Sequence, residues 1–155
     1  MNLTAARSPE ERVALLVAEA APVAALLAPA SRLIDVGSGN GSPGLVLALL
    51  RPDVSVTLLE PRLRRWAFLR QATRAAGRPD VDARRERHDE YHGDPAAVVT
   101  LRALALPLGA LRSLVAKGGR IIVLGGEPSS EPPFVLESRL PLPRSEAHVF
   151  RDCST

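Results

Sequence analysis

The stretch Leu33-Ile34-Asp35-Val36-Gly37-Ser38-Gly39-Asn40-Gly41-Ser42-Pro43-Gly44 decides how the rest of the chain is read. Leu33 to Val36 predicts a short buried strand, Gly37 to Gly41 a glycine-rich turn, and Leu45 to Leu50 the helix that follows. Lacking a Cβ, Gly37, Gly39 and Gly41 can take positive φ angles and let a ligand lie against the main chain. Free N–H groups at the start of the helix favour an electron-rich ligand group. The expectation is a nucleotide-type cofactor site.

Gly39-x-Gly41-x-x-Gly44 satisfies the dinucleotide pattern, which alone is a weak signal. Two details oppose that reading. Asp35 lies two places before the first glycine, where it would repel a pyrophosphate. Pro43 interrupts the spacing at a place better suited to helix entry. A positively charged, phosphate-free cofactor suits an acidic strand end better. The order D-x-G-x-G-x-G resembles the first motif of the Rossmann-like methyltransferases, whose cofactor, S-adenosylmethionine, joins a sulfonium and an amino group to adenosine. That resemblance places Asp35, Gly37, Ser38, Gly39, Gly41 and Pro43 at the cofactor.

With 155 residues, 46% of them hydrophobic, the chain is long enough for one domain with a real core. The expected division is a helical segment over residues 1–30, a cofactor-binding α/β core over 31–126 and a terminal strand pair over 134–151. No apolar run is long enough to cross a bilayer, and Met1 to Arg7 is too polar for a secretory signal, so no membrane partner is expected. The single cysteine, Cys153, has no partner for an internal disulfide and fits a reducing cytoplasm. A net charge of +3 is compatible with a nucleic-acid partner, although an arginine-rich composition accounts for it equally well. Aromatic residues make up only 3% of the chain, which argues against a stacking platform for single-stranded nucleic acid.

Ahead of the glycine turn, Ser8-Pro9-Glu10-Glu11 opens a helix, with Ser8 as N-cap and Glu11 completing a capping box. Pro22 is expected to break or kink that helix, leaving a second short piece from Val23 to Leu27. After Arg51-Pro52-Asp53, Val54 to Glu60 reads as a second parallel strand. Glu60 ends it, about twenty positions beyond the glycines, where a carboxylate can accept hydrogen bonds from ribose hydroxyls. The same carboxylate could instead complement the dipole of the next helix. That helix, Arg62 to Ala76, carries Arg62, Arg64, Arg65, Arg70 and Arg74. They form no clean stripe and read mostly as a solvated face, with phosphate contact as the alternative. Val81 to Glu86 is a weaker strand, and His88-Asp89 at its end would border an adenine. His88 has no metal-ligand pattern around it, and no metal is expected.

Ala96 to Arg102 predicts a fourth strand, Leu104 to Ala116 a helix, and Arg120 to Gly126 a fifth strand. Glu127 to Pro133 is too proline-rich for helix. Phe134 to Leu140 and Ala147 to Arg151 form a terminal strand pair. Strand–helix alternation followed by two adjacent strands indicates an α/β fold with a mostly parallel sheet and an antiparallel edge strand. Ligands bind such sheets at the carboxyl ends of the strands, where Asp35, Glu60, Asp89 and Arg102 lie.

Taken together, Asp35-Val36-Gly37-Ser38-Gly39-x-Gly41-x-Pro43-Gly44, Arg51-Pro52-Asp53, Thr57-Leu58-Leu59-Glu60-Pro61, Arg64-Arg65-x-x-Phe68-Leu69-Arg70, Thr100-x-Arg102-Ala103 and Gly118-Gly119-Arg120 resemble the GidB/RsmG family. Asn2-Leu3-Thr4 matches the N-L-T at the start of that family's catalytic part. The resemblance implies a class I S-adenosylmethionine-dependent methyltransferase acting on N7 of a guanine in small-subunit ribosomal RNA. It implies that Gly37, Gly39 and Gly41 approach the cofactor, that Glu60 holds its ribose and that His88 and Asp89 lie near its adenine. Arg102 stands at the family's T-x-R-A arginine, where cofactor and guanine meet, and is the catalytic candidate. An ion pair with Asp35 or Glu60 is the structural alternative for it.

The chain also departs from that family. Family members usually carry an additional helical segment before N-L-T, and the resemblance here starts at Asn2. The H-x-x-D-S-L polar groups find no match in Val13 to Glu19, Gly125 replaces the lysine after the fifth strand, and Glu146-Ala147-His148 lacks the arginine of E-R-H. The helix that usually follows the fifth strand is reduced to Glu127–Pro133. An under-covered sheet face, and self-association to bury it, would follow. The expected partners are therefore ribosomal RNA or the small ribosomal subunit, with a homo-oligomer possible.

Overall fold

A computed structural model describes residues 8–102 and 105–155 of the protein. The Asn2-Leu3-Thr4 match lies outside the described residues. One seven-stranded sheet runs in the order β3-β2-β1-β4-β5-β7-β6. Its strands are β1 (Arg32–Val36), β2 (Ser55–Leu59), β3 (Asp82–Arg84), β4 (Ala96–Arg102), β5 (Val115–Leu124), β6 (Phe134–Pro141) and β7 (Glu146–Asp152). The first five are mutually parallel, whereas β7 lies antiparallel between β5 and β6. This is the mostly parallel α/β sheet with an antiparallel edge that the alternation predicts.

Period-two alternation sorts the side chains of β1 onto two faces. Leu33 packs on one face with Ala20, Val23, Leu45, Leu47 and Leu69 of the helices α1 (Pro9–Ala24), α2 (Gly44–Leu50) and α3 (Leu63–Ala75). Ile34 and Val36 pack on the other face with Tyr91, Leu108, Leu111, Leu114, Phe134 and Phe150. Among the described residues, that second face carries no α-helix. The helix expected from Leu104 to Ala116 is instead a 3₁₀ turn over Leu108–Leu114, and β5 already begins at Val115. The reason lies in the leucine spacing. Leu108, Leu111 and Leu114 recur every three residues, so a three-residue turn buries all of them on one side.

The second face is nevertheless closed within one chain. Ile34, Val99, Leu101, Ile121, Val123 and Phe150 are all at most 4% exposed. The expectation of an under-covered face is thus corrected: the 3₁₀ turn, Tyr91 and Phe134 seal it without a helix after β5. A second correction concerns α1, which continues through Pro22 to Ala24 and ends there. At its start, the Ser8 hydroxyl accepts from the Glu11 amide at 3.1 Å. At its end, the Arg51 guanidinium donates to the carbonyls of Ala24 and Leu27 at 2.8 and 2.6 Å, tying α1 to the turn before β2. Among the described residues, no helix is long and apolar enough to cross a membrane.

Candidate functional site

The loop between β1 and α2 crosses the carboxyl edge of the sheet, and two carboxylates from neighbouring strands shape it. Gly37, Gly39 and Gly41 all take positive φ (68°, 53° and 92°), the region that a side chain would disfavour. The Gly37 and Ser38 amides both donate to the Leu59 carbonyl, at 2.9 and 3.1 Å. The Gly39 amide donates to Glu60 Oε2 at 2.9 Å, and the Arg62 amide to Glu60 Oε1 at 3.0 Å. The Gly41 amide donates to the Ser38 carbonyl, and the Leu45 amide to that of Gly41, each at 2.7 Å. These amides are already bonded inside the fold. The anion-binding helix start expected from the glycines is therefore not formed, and a pyrophosphate would find a buried carboxylate, Glu60, in place of free N–H groups.

Asp35 is placed differently from expectation. Strand alternation puts it on the same face as Leu33, turned towards α2, and it lines neither of the cavities beside the loop. It is 1% exposed, and the Thr100 hydroxyl, its register partner on β4, donates to Oδ1 at 2.6 Å. Burial pushes its carboxyl up to about 6, against the opposing pull of Thr100 and, more weakly, of the Gly44 amide and the Arg102 charge. Gly44 is required here by close approach, since a Cβ would fall 2.5 Å from Asp35 Oδ2 and from Leu58 Cδ2.

Two cavities flank the loop. The first, about 350 Å³, is lined by apolar Val36, Leu59 and Leu106, by the carboxylates Glu60 and Glu86, by the His88 imidazole and by Arg62, Arg65 and Arg87, with Gly37 at the loop. The second, about 520 Å³, is bounded by Gly37 to Asn40, Ser42, Arg64, Arg65, Phe68 and Arg102. Both are within the size range of small-ligand sites, and Gly37 and Arg65 belong to both. The sequence-derived candidates thus divide into groups. Gly37, Ser38, Gly39, Glu60, His88 and Arg102 reach a cavity wall. Gly41 packs against Leu45, Pro43 caps α2, and Asp35 is buried beneath the loop. Asp89 turns away, exposed and paired with Arg87 at 3.1 Å.

Arg102 forms no ion pair among the described residues, which removes the structural alternative of a salt bridge to Asp35 or Glu60. One terminal nitrogen donates to the Ser42 hydroxyl at 3.2 Å, while Nε and the other terminal nitrogen are buried without a partner. Desolvation pulls its pKa below the ordinary arginine value, with Glu19 and Asp35 opposing. Sequence reasoning missed four contributors here: Thr100, Ser42, Phe68 and Glu19. Thr100 was legible as the residue opposite Asp35 once the strands were aligned. Glu19 was not, because its partners, the Arg144 amide at 3.0 Å and the Ser145 hydroxyl at 3.2 Å, lie more than a hundred residues away. Among the described residues, no group of three or more His, Cys, Asp or Glu is placed to hold a metal ion.

The sheet order, the glycine loop and the acid at the end of β2 define a Rossmann-like class I methyltransferase fold. Solved structures share it over nearly the whole chain. An RNA methyltransferase from Salinibacter ruber, crystallised with S-adenosyl-L-homocysteine, superposes with a TM-score of 0.68 at 17% identity, covering 96% of this chain and 95% of the other. A SAM-dependent methyltransferase from Aquifex aeolicus gives 0.71 at 11% identity, with the same two coverages of 96% and 95%. Sequence relatives are nearer. Ribosomal RNA small subunit methyltransferase G of Thermobifida fusca is 46% identical over 111 residues, which are 69% of this chain and 47% of that protein. The Halorhodospira halophila protein of the same name is 43% identical over 130 residues, 81% of this chain and 61% of that protein. Residues 1–138 match the family described as GidB, rRNA small subunit methyltransferase G, and the chain belongs to that family. It spans about half to three-fifths of the length of these two relatives.

Proposed function

We propose that the chain binds S-adenosylmethionine against the Gly37–Gly41 loop and methylates N7 of a guanine in small-subunit ribosomal RNA. The observation that carries this reading is Arg102, a half-buried guanidinium on the wall of the second cavity that pairs with no carboxylate among the described residues and has one terminal nitrogen on the Ser42 hydroxyl. The fit of the first cavity supports the cofactor. Its loop amides are bonded internally, which disfavours a phosphate-bearing ligand, and the remaining lone pairs of Glu60 suit ribose hydroxyls. Val36, Leu59 and Leu106 offer apolar walls to a base, and His88 offers its polar edge. When bound, the cofactor supplies an electrophilic methyl carbon on a positively charged sulfur.

The composition of the second cavity suits N7 as the acceptor. Among its described lining residues there is no carboxylate, histidine or cysteine to serve as a base, and a guanine N7 already presents a lone pair without losing a proton. The residues have to position rather than deprotonate. Arg102 donates to the guanine O6 and leaves N7 free to attack, which also selects guanine over adenine. Phe68, 49% exposed, gives the base an apolar edge to rest against. Alignment of this kind supplies up to ~7–11 kcal/mol in favourable cases.

The test is transfer of labelled methyl from S-adenosylmethionine to small ribosomal subunits, or their naked RNA, that lack the modification. Label is expected on a single guanine, and Arg102→Lys is expected to lower kcat by at least a hundredfold while calorimetry shows unchanged cofactor affinity. Tight cofactor binding with no transfer to either RNA substrate would reject the reading.

A further inference from the structure

Helix α3 stands apart from the rest of the surface in its charge. Several arginines elsewhere sit beside acids: Arg51 with Asp53, Arg78 with Asp80, Arg84 with Glu86, Arg87 with Asp89 and Arg120 with Glu137. From Leu63 to Ala75, by contrast, α3 carries Arg64, Arg65, Arg70 and Arg74 and no acid at all. All four are exposed, and none has a carboxylate partner among the described residues. An ordinary solvated helix face interleaves the two signs, because i,i+4 pairs stabilise it and like charges do not. Here two arginines, Arg70 and Arg74, share one face four residues apart.

The same face has a second, independent feature. Between α3 and the edge strand β3 lies a groove of about 270 Å³ lined by Trp66, Arg70, Thr73, Arg74 and Asp82 among others. Trp66 is fixed there by its indole N–H, which donates to the Ala83 carbonyl at 2.9 Å. The Arg70 guanidinium rests over the indole ring, 5.1 Å from its centroid, which holds it in place without neutralising it. Asp82 is the one carboxylate lining the groove, and it faces Arg84 at 4.0 Å on its own strand. Arg64 and Arg65, one turn earlier on α3, line the cavity beside Arg102.

We propose that α3 and its groove against β3 form a phosphate track, which holds the RNA strand just beyond the nucleotide that enters the cavity beside Arg102. This rests on the RNA-methyltransferase reading above. Arg65, Arg70 and Arg74 are spaced by about 7.5 and 6 Å along the helix axis, so they follow a strand outward from the cavity rather than crowding one phosphate. Trp66 holds Arg70 in position and takes no base itself. The track provides, on the cofactor-binding part of the chain, a grip on RNA that needs neither a lysine after β5 nor an arginine beside His148.

Trp66 is the chain's single tryptophan, so its emission reports on this groove directly. The experiment titrates the 155-residue chain with a short single-stranded RNA oligonucleotide, following Trp66 fluorescence and, by anisotropy of a labelled strand, affinity as a function of salt. RNA is expected to change Trp66 emission. The pair Arg70→Gln, Arg74→Gln should reduce the log–log salt slope by about 1.4, at ~0.7 for each single-strand phosphate that an arginine no longer neutralises. It should also raise KM for the ribosomal RNA with kcat and cofactor affinity unchanged. The pair Arg70→Lys, Arg74→Lys should restore most of the slope, which a purely structural role for the two side chains would not predict. An unchanged slope in the glutamine pair, with methyl transfer intact, would overturn the track and leave the RNA-methyltransferase reading standing. Wild-type chain that neither binds nor methylates RNA would overturn both.

Discussion

Asp35 carries the most direct test of how the cofactor loop is built. Its carboxyl is sealed between β1, Thr100 of β4 and Gly44 of α2, and desolvation raises its pKa from an ordinary 3.8 to about 6. A carboxyl whose pKa is higher in the folded state holds its proton more tightly there than in the unfolded chain. Stability from this group is therefore fully present below pH 3.8 and is lost as pH rises through about 6. At about 1.4 kcal/mol per pH unit, the whole loss is ~3 kcal/mol, of which roughly 2 kcal/mol falls between pH 4.5 and 7.5. Asp35→Asn removes the ionisation while keeping an acceptor for the Thr100 hydroxyl. Its amide nitrogen lies towards Gly44 and introduces a penalty of its own, but that penalty does not depend on pH.

The discriminating quantity is hence the pH dependence of the difference between the two proteins. Urea unfolding at a series of pH values should show Asp35→Asn gaining roughly 2 kcal/mol on wild type from pH 4.5 to 7.5. A difference that stays flat over that range would refute the burial argument, because it would mean that Asp35 ionises at an ordinary pKa. Since Asp35 lines neither cavity, S-adenosylmethionine affinity of the variant should stay within a few-fold of wild type by calorimetry.

Three further substitutions probe the supports around the loop. Gly44→Ala drives a methyl group to 2.5 Å from Asp35 Oδ2 and Leu58 Cδ2, and should destabilise the chain by about 1–3 kcal/mol in urea and weaken cofactor binding by distorting the loop. Arg78→Ala should lower stability by about 3 kcal/mol, because the carbonyls of Ala48, Arg51 and Val54 lose the guanidinium that satisfies them at the end of α2. Glu19→Ala should cost about 2 kcal/mol and raise amide hydrogen exchange at Arg144, since the buried Glu19 carboxylate accepts that amide and the Ser145 hydroxyl. Unchanged exchange at Arg144 would mean that the β6–β7 turn does not depend on α1.

What the sequence disclosed depends on how local each signal was. The alternation of apolar runs with glycine and proline turns was enough for the parallel strands, and β4 has the predicted bounds, Ala96–Arg102. The terminal pair was legible because two β-rich runs flank a proline turn with no room for a helix. The segment after β4 misled because Leu108, Leu111 and Leu114 also satisfy part of a helical period, and only their coverage of the second face separates a 3₁₀ turn from an α-helix. The side to which Asp35 points was available from alternation alone: Leu33 and Asp35 share one face, Ile34 and Val36 the other. Reading Asp35 as a strand-end ligand overlooked that parity. Arg51 and Arg78 could not have been singled out among so many arginines, because the carbonyls they satisfy belong to other segments of the chain.

The two strand-end acids complete the argument about the cofactor. Asp35 and Glu60 come from neighbouring parallel strands, and both act on the loop from below or beside it. Asp35 packs beneath the start of α2, while Glu60 clasps the Gly39 amide and still faces the first cavity. Loop shape and core packing are therefore one structure, and a substitution that disturbs the cofactor cradle also affects stability. The arginines of α3 have the opposite character, exposed and free of carboxylates, so they can change at little cost to the fold beyond the Arg70 contact with Trp66. Loss of cofactor binding in variants of Gly44 and Glu60 should accordingly come with a loss of unfolding free energy, whereas loss of RNA binding at α3 should not. A set in which the two losses move together would mean that α3 supports the fold rather than gripping RNA.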